Sequence, residues 1–557
     1  MASGADMHRI WTAGMMAAAL LVAGLGGPGL AQAPGLQATG LQGGATILAA
    51  PRLSFSDAEM ALAQAVADAP LLAGYYGRYG LTPIFEGADG PARRDALIAA
   101  IAAQPAHGIS PARYRPDALA QAGEGVAAEA LHAKALALLI SDLTGGVVRP
   151  TAVSAQIHRE VRRPEMSGLI HGFVTAPDPA AYLAGLAPQA PAYAALQRAL
   201  RERTGLAAIV SDLPPAPEAI WRPGMRGAGV LALRARLAAA GFATAPGEPR
   251  PGDPQLYDAA LARAVARYQQ AAGLPSDGVA GPRTIRHLNG GLDADARRIL
   301  MAMERMRWMG GEDLGARHVW VNIPEFSARI VENGQQIFET RTVVGTADPA
   351  RQTPEFSDRM EYVVMNPRWN VPRSITVKEY LPRLQANRNA VAHIDVVDGR
   401  GNVIPRANVD FGRYTAANFP YRMRQKPSDD NALGLVKFIF PNPWNIYLHD
   451  TPTKHLFAQD MRAHSHGCVR IGDPMDLARA LLSPQSDDAT GMVARALESG
   501  RERYLPLTPN VPVHLVYFTA YPAASGRIRF FADVYGRDAA LWDLLQKAAL
   551  DSGAGNG

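Results

Sequence analysis

The stretch His464-Ser465-His466-Gly467-Cys468-Val469-Arg470 contains the single cysteine of the 557-residue chain. Cys468 lies between His466 and Arg470, on a turn that contains Gly467. A lone cysteine cannot form an internal disulfide, so it is either an inert buried residue or a reactive thiol. The count alone leaves both interpretations open, and the neighbouring residues have to separate them.

A second histidine, His449, ends the apolar run Asn445-Ile446-Tyr447-Leu448-His449, which we predict to be a strand. Alternation along a strand places Tyr447 and His449 on one face. A thiol with a pKa of about 8.5 is mostly protonated at neutral pH, and a nearby imidazole can take its proton and hold the thiolate as an ion pair. We therefore expect Cys468 to be a nucleophile and His449 its base, with His466 orienting backbone or substrate.

The cysteine turn supplies further groups that suit acyl transfer. The backbone N–H groups of Gly467 and Cys468 can point to one position and form an oxyanion hole. Gly467 also lets the backbone approach a substrate closely. Arg470 can pair with a carboxylate, and Asp473 is predicted to cap a helix that begins at Pro474.

Metal binding is the alternative interpretation of the same stretch. There are enough side chains to hold zinc, namely His449, His455, His464, His466 and Cys468. Their spacing matches no familiar zinc pattern, so we predict a site without metal and without an organic cofactor.

Length and composition describe an exported globular protein of three or four domains. The chain is 48% hydrophobic and 19% charged, with a net charge of +5. No long Lys/Arg run is present, which argues against nucleic acid as a partner. This small net positive charge is also compatible with binding to a polyanionic matrix of the cell envelope.

The N-terminus has the pattern of a secretory signal peptide over residues 1–33. His8 and Arg9 precede an apolar run at 10–25, and Ala31-Gln32-Ala33 offers small residues for cleavage. An uncleaved membrane anchor is the alternative. Either way we expect the bulk of the chain in the periplasm. Residues 34–55, rich in Gly, Ala and Gln, are predicted to be a flexible tether.

Helical patterns dominate the next part of the chain, where Ala/Leu-rich stretches are punctuated by Pro and Gly. They predict an all-helical scaffold domain over 56–212, followed by a Pro-rich linker at 213–217. Residues 220–290 form a compact module with helices predicted at 229–241, 257–272 and 283–288. A connecting helix is predicted at 293–310.

From His318 the periodicity changes to that of strands, and Asn333-Gly334 is a strong hairpin signal. We predict a β-rich, β-sandwich-like catalytic domain over 316–540 and a C-terminal tail at 541–557. The predicted strands cover 318–323, 328–332, 336–344, 362–366, 436–440, 445–449, 513–519 and 528–531. An insert at 371–431, helical near 378–384, is predicted to be a lid or capping subdomain. The fold class is thus multidomain α+β.

The motif Tyr447-Leu448-His449-Asp450-Thr451-Pro452, followed by Ser465-His466-Gly467-Cys468-Val469-Arg470, resembles the signature of the L,D-transpeptidases with a YkuD-type catalytic domain. The order V-x-x-L…L-x-x-x-G-F…A-V-x-x-Y-Q…G-L-x-x-D-G-x-x-G-P-x-T in 220–290 resembles a peptidoglycan-binding module. The segments M-E-R-M-R-W, M-N-P-x-W-N-V-P-x-S-I and Y-F-T-A-Y, with the long insert, resemble the large YcbB-like branch. The resemblance covers nearly all of residues 56–545.

Site roles follow from this resemblance. It implies that Cys468 is the acylated nucleophile and His449 the base. His466, Gly467 and Ser465 would shape the site. Arg470 would bind substrate or support the site structurally. The substrate-binding group is then Arg470, Ser465, Tyr447 and Asp450, of which Tyr447 is our own candidate for an oxyanion or substrate contact and Asp450 has no defined role.

The implied activity is peptidoglycan crosslinking. The thiolate would attack a stem-peptide carbonyl at an L-centre, typically of diaminopimelate, and pass the thioester to an amine of a neighbouring stem. Expected partners are stem peptides and glycan strands, with other envelope proteins also open and carbapenems as covalent inhibitors. An L,D-carboxypeptidase that uses water and a non-catalytic wall-binding scaffold are the alternatives.

Overall fold

The computed structural model describes residues 54–211, 214–243, 252–271 and 274–550. The predicted signal peptide and all but the end of the predicted tether lie outside these ranges. Within them, no helix combines the length and the apolar character needed to cross a membrane.

The first region is helical, as the sequence predicts. Its first helix begins after Ser56, whose side chain accepts from the Glu59 amide at 3.3 Å while the Glu59 carboxylate accepts from the Ser56 amide at 2.6 Å. This reciprocal cap satisfies two amides that the helix itself leaves unpaired. The helices are α1 (Asp57–Ala65), α2 (Pro70–Arg78), α3 (Gly90–Ala102), α4 (Pro116–Gln121), α5 (Val126–Gly145), α6 (Pro150–Val153), α7 (Met166–Thr175), α8 (Pro179–Gly185) and α9 (Pro191–Ser211).

The compact module that follows contains α10 (Ala228–Ala239), α11 (Ala259–Ala271) and the start of α12 (Pro282–Trp308). The large apolar side chains on one face of each of its first two helices are buried, namely Val230, Leu233, Leu237, Leu261, Val265 and Tyr268. One prediction is wrong: the last module helix and the connecting helix are a single helix, α12. The predicted linker also docks on the module, since buried Ala216 exchanges hydrogen bonds with the Asn289 side chain at 2.9 and 2.7 Å.

The C-terminal end of α12 ties the helical region to the rest of the chain through buried ion pairs. Glu304 accepts from Arg307 at 2.6 Å and from the Val148 amide at 2.7 Å. Arg305 pairs with Asp538 at 2.7 Å. Breaking a buried ion pair leaves an uncompensated charge, so these contacts hold the two parts in one arrangement.

The β-rich region confirms the predicted fold class. Its main sheet has nine strands in the order β10-β3-β11-β9-β8-β4-β12-β1-β2, and an added β2–β3 pairing closes it on itself. Asn333 and Gly334 join β2 to β3 with φ values of 49° and 79°, which the predicted tight hairpin requires. The strands are β1 (Arg317–Asn322), β2 (Ser327–Glu332), β3 (Gln335–Gly345), β4 (Phe356–Met365), β5 (Trp369–Asn370), β6 (Ile394–Val397), β7 (Arg422–Gln425), β8 (Val436–Ile439), β9 (Leu448–His449), β10 (Ala463–Ser465), β11 (Val469–Ile471), β12 (Arg503–Val516), β13 (Ala520–Pro522) and β14 (Ile528–Phe530).

Two strand predictions need correction. The predicted strand at 445–449 is reduced to Leu448–His449, because Asn445 has a φ of 55° and the Asn442 side chain folds the preceding loop. The predicted strand at 528–531 does not join the main sheet. It pairs with β13 in a separate two-stranded sheet.

The insert at 371–431, the predicted lid, shares a separate hydrophobic core with β5, which directly precedes it, and with Leu433. Its strands β6 and β7 form a three-stranded sheet with β5, in the order β5-β7-β6. Its helical part is α13 (Arg373–Ile375), a π-helical turn (Thr376–Tyr380) and α14 (Leu381–Ala386). Tyr447 packs against this core. The lid is therefore in contact with the strand that carries His449. The last helices are α15 (Pro474–Leu482), α16 (Ala489–Glu498) and α17 (Arg537–Leu550).

A short segment of the helical region, residues 156–159, packs directly on the β domain. The Gln156 carbonyl accepts from the Glu355 amide at 2.9 Å, and the His158 amide donates to the Glu355 carbonyl at 2.8 Å. The His158 ring stacks on Trp444 with centroids 4.1 Å apart. The helical region thus supports the loops at 346–355 and 441–446.

His514 provides a pH test of this fold. It is 2% exposed on β12, its Nε2–H donates to the Leu314 carbonyl at 3.0 Å, and burial lowers its pKa from 6.5 to about 4. Between these pH values the unfolded chain binds a proton at this histidine and the native state does not. The free energy of unfolding therefore falls as pH falls from about 6.5 towards 4. Between pH 7 and 5 the loss should be about 2 kcal/mol for one such histidine.

Urea denaturation across this pH range checks the prediction. His514→Gln should flatten the pH dependence of the free energy of unfolding by that amount, whereas His464→Gln, at an exposed histidine, should leave it unchanged. Equal slopes in wild type and His514→Gln would contradict the assignment.

Candidate active site

Three polar side chains lie side by side across neighbouring strands of the main sheet. Lys437 on β8 is in register with His449 on β9, and His449 is in register with Arg470 on β11. Residues opposite each other on adjacent strands project to the same face of a pleated sheet. Cys468 directly precedes β11, so this cross-strand row (Lys437, His449 and Arg470) adjoins the thiol.

His449 is a buried, neutral imidazole. It is 5% exposed, and its Nδ1–H donates to the Asp450 carbonyl, which leaves Nε2 as the basic nitrogen. Burial, together with the charges of Arg470, Lys437 and Lys454, lowers the pKa of His449 to about 3 against the opposing hydrogen bond to Asp450. An imidazolium at this position would be desolvated and flanked by cations.

Cys468 is partly exposed, with its Sγ 3.6 Å from the Asn445 carbonyl oxygen. Burial raises the pKa of the thiol above its ordinary value. The Tyr447 backbone N–H and hydroxyl, together with the charges of Lys437 and Arg470, oppose that rise. The lowered pKa of His449 and the raised pKa of Cys468 both disfavour the expected thiolate–imidazolium pair at rest, and the pair stays a prediction.

Tyr447 lies against both His449 and Lys437 and donates a hydrogen bond to Cys468. Its ring centroid is 5.6 Å from that of His449, and Lys437 Nζ lies 3.9 Å from the same ring centroid. Burial and the neighbouring Cys468 raise the pKa of Tyr447 well above its ordinary value. The phenol hence stays protonated and acts as a donor towards the sulfur.

The cysteine turn is braced from within. Ser465 Oγ donates to the Cys468 carbonyl at 2.5 Å and accepts from the Gly467 amide at 3.1 Å. Gly467 has a φ of 116°, and a Cβ there would meet Ile446 at 3.2 Å, so glycine is required. Ser465 Oγ and the Gly467 amide are thus both engaged within the turn, and the substrate and oxyanion roles expected for them stay predictions.

Asp450, grouped with the substrate-binding residues, lies directly after His449. Its carboxylate is buried, accepts from the Leu435 amide at 2.9 Å and the Thr451 amide at 2.7 Å, and pairs with Lys454. It joins the residue before β8 to the chain after β9, because buried charges require such partners. Its grouping with the substrate-binding residues stays a prediction.

Asp473 occupies the predicted N-cap position of α15 before Pro474. Its side chain does not cap the helix, however. It accepts from Thr340 Oγ1 at 2.9 Å, and the Asp473 amide donates back to the same oxygen at 3.0 Å. The aspartate therefore joins α15 to β3.

His466 lies at the rim of the site and contacts the lid. Its Nε2 is 2.7 Å from Glu379 Oε1, and the same carboxylate oxygen is 3.2 Å from Arg351 Nη2. Arg470 donates to Thr453 Oγ1 at 3.0 Å, and its Nε has no partner within the described structure. Arg470 thus retains donor capacity beside the thiol.

The sequence did not single out Lys437 or Glu379 as site residues. Lys437 alternates with buried Val436 and Phe438 in a predicted strand, a pattern that marks it as facing the opposite side. No local pattern distinguishes Glu379, which reaches the site only because the lid folds over the cysteine turn.

The five side chains considered for zinc are not gathered at one point. Among the described residues, no three His, Cys, Asp or Glu side chains are placed to hold a metal ion. His464 is exposed and its Nε2 lies 2.7 Å from Gln459 Oε1.

Comparison with known families matches three parts of the chain. Residues 316–493 match the YkuD family model, described as an L,D-transpeptidase catalytic domain, and residues 70–200 match one described as a scaffold domain. Residues 226–288 match one described as a "putative peptidoglycan binding domain". The resemblance to a YkuD-type L,D-transpeptidase catalytic domain is thus confirmed over residues 316–493, and that to a peptidoglycan-binding module over residues 226–288.

A Haemophilus influenzae protein named "Putative L,D-transpeptidase" is 35% identical over 237 residues, which are 41% of this chain and 47% of that protein. The chain therefore spans about half the length of this relative. Among solved structures, the L,D-transpeptidase of Xylanimonas cellulosilytica is similar at 17% identity, with 54% of this chain and 100% of that one covered and a TM-score of 0.15. The L,D-transpeptidase of Stackebrandtia nassauensis matches at 14% identity, with 54% and 96% covered and a TM-score of 0.16.

The hydroxyl of Tyr447 should set the ionisation of Cys468. Tyr447→Phe removes a donor that favours the thiolate, so the pKa of the thiol should rise further. The rate of alkylation by iodoacetamide against pH reads this directly, because the chain has one cysteine. Tyr504→Phe, at an exposed tyrosine of β12, is the matched control. An unchanged midpoint in Tyr447→Phe would contradict the role.

Proposed function

We propose that this protein is a peptidoglycan L,D-transpeptidase of the periplasm. The observation that carries the proposal is the arrangement around the lone cysteine: buried His449 lies on the strand next to β11, and Tyr447, Lys437 and Arg470 all favour the thiolate. The match of residues 316–493 to the L,D-transpeptidase catalytic domain supports the reaction type. The peptidoglycan-binding match at 226–288 supports peptidoglycan as the substrate.

In the first half-reaction, Cys468 would attack a stem-peptide carbonyl at an L-centre, typically of diaminopimelate. His449 takes the thiol proton as the sulfur attacks, since its neutral form is the one present at neutral pH. Arg470 and Lys437 then face developing negative charge, which a partly desolvated site stabilises strongly. The C–N bond breaks, D-Ala leaves with the proton from His449, and a thioester remains on Cys468.

In the second half-reaction, an amine of a neighbouring stem attacks the thioester. The new amide is the crosslink, and Cys468 is released as a thiol. Water as the acceptor would give an L,D-carboxypeptidase with the same first half-reaction. Stem peptides and glycan strands are the partners of this proposal, and carbapenems are expected to acylate the same sulfur.

A wall-binding scaffold without catalysis is the second candidate, favoured by the peptidoglycan-binding match. It requires binding to isolated sacculi and an unacylated Cys468. The two candidates differ in whether substrate becomes attached to the sulfur.

The deciding experiment incubates the protein with disaccharide-tetrapeptide and, separately, with a carbapenem. Mass spectrometry should show a thioester adduct on the wild type, crosslinked dimers with the substrate, and a stable adduct with the carbapenem. Cys468→Ala should lose all three and still bind sacculi. Dimers that persist in Cys468→Ala, or a wild type with neither turnover nor adduct, would refute the proposal.

A further inference from the structure

The charge around the thiol is almost all positive. Lys437, Arg470 and Lys454 each act electrostatically on His449, and Arg351 lies at the rim beside His466. Asp450, the nearby buried carboxylate, is already used by Lys454 and two backbone amides. This surrounding suits an anionic donor and a developing oxyanion, and it repels a cation that approaches the thioester.

Glu379 is the carboxylate that the lid places over the cysteine turn. It lies in the π-helical turn Thr376–Tyr380, between the buried side chains of Ile375 and Leu381. Such turns interrupt the regular helix and often occur at functional sites. Buried flanking residues fix the backbone while the carboxylate itself points outward, with 34% of its side chain exposed.

The ion pairs of Glu379 are exchangeable. The side chains of its partners, Arg351 and His466, are 41% and 38% exposed. Solvent-screened pairs of this kind contribute little to stability, so another cation can take the place of a guanidinium on the same oxygen. An ion pair that held the lid permanently on the cysteine turn would instead have both side chains buried.

We infer that Glu379 binds the ammonium group of the acceptor stem and brings it to the thioester at Cys468. This inference rests on the proposed function and names the group that selects an amine over water as the acceptor. Water has no charge for Glu379 to attract, whereas an ammonium needs a counter-charge to enter a cationic site.

The ammonium bound at Glu379 loses one proton to solvent at the open rim, where the Glu379 side chain is 34% exposed. The amine nitrogen forms a bond to the thioester carbonyl carbon, and the C–S bond breaks. The second proton of the nitrogen passes to the sulfur, so that Cys468 is again a thiol.

The test measures how the acyl-enzyme partitions between transfer to an amine acceptor and hydrolysis by water. Disaccharide-tetrapeptide serves as donor, and an isotopically labelled disaccharide-tetrapeptide serves as acceptor. Mass spectrometry counts labelled dimers against hydrolysed tripeptide, and it follows the thioester in the absence of acceptor. Glu379→Gln should lower the dimer-to-tripeptide ratio at least tenfold and raise the KM for the acceptor, with a much smaller effect on thioester formation. Glu379→Asp should recover part of the ratio.

Glu498→Gln, the same substitution at an exposed residue at the end of α16, is the matched control and should behave as wild type. A ratio within twofold of wild type in Glu379→Gln, or an equal loss in both half-reactions, would overturn the inference. Should Glu379→Gln unfold, Arg351→Gln replaces it: removal of the competing guanidinium should lower the acceptor KM, and an unchanged KM would count against the inference. A wild type that forms no thioester would instead refute the proposed function itself.

Discussion

The cross-strand row of Lys437, His449 and Arg470 is the constraint on which the site depends. A buried imidazole between two cations cannot hold a proton at neutral pH, and its pKa falls to about 3. The same two cations, with Tyr447, favour the thiolate of Cys468 while burial opposes it. The arrangement leaves both partners neutral at rest, so a proton has to move when the sulfur attacks.

The rest of the fold keeps that row in register. β8, β9 and β11 are adjacent in a sheet that closes through β2 and β3, so each of these short strands is held by a partner on both sides. Asp450 joins the chain before β8 to the chain after β9, and Ser465 braces the turn from within. Thr353 Oγ1 donates to the Gly467 carbonyl at 2.8 Å, and Glu355 in the same loop pairs with residues 156–158 of the helical region. The helical region thereby supports the cysteine turn.

Much of the fold and of the candidate site could be predicted from the sequence. The features that could not be predicted have physical explanations. The hydrophobic periods gave the helices and most strands, and the Tyr447-Leu448-His449 alternation correctly brought Tyr447 and His449 together. Local reasoning is weakest where a side chain has two possible uses. Asp473 was expected to cap α15 and binds Thr340 instead, and the oxygens of Ser465 and Asp450 bind neighbouring backbone amides. Glu379 and Lys437 reach the site only through long-range packing, which no local pattern encodes. The expected ion pair considered the histidine and not the cations beside it, which lower the pKa of His449.

The most direct test of this account is the ultraviolet thiolate absorbance of the wild type, with Cys468→Ala subtracted, followed from pH 6 to 10. The account predicts no thiolate at neutral pH, an onset above the ordinary range of a free thiol near about 8.5, and a curve that His449→Gln leaves at the same midpoint. A thiolate already present at pH 7 that disappears in His449→Gln would show a resting ion pair and contradict the central claim.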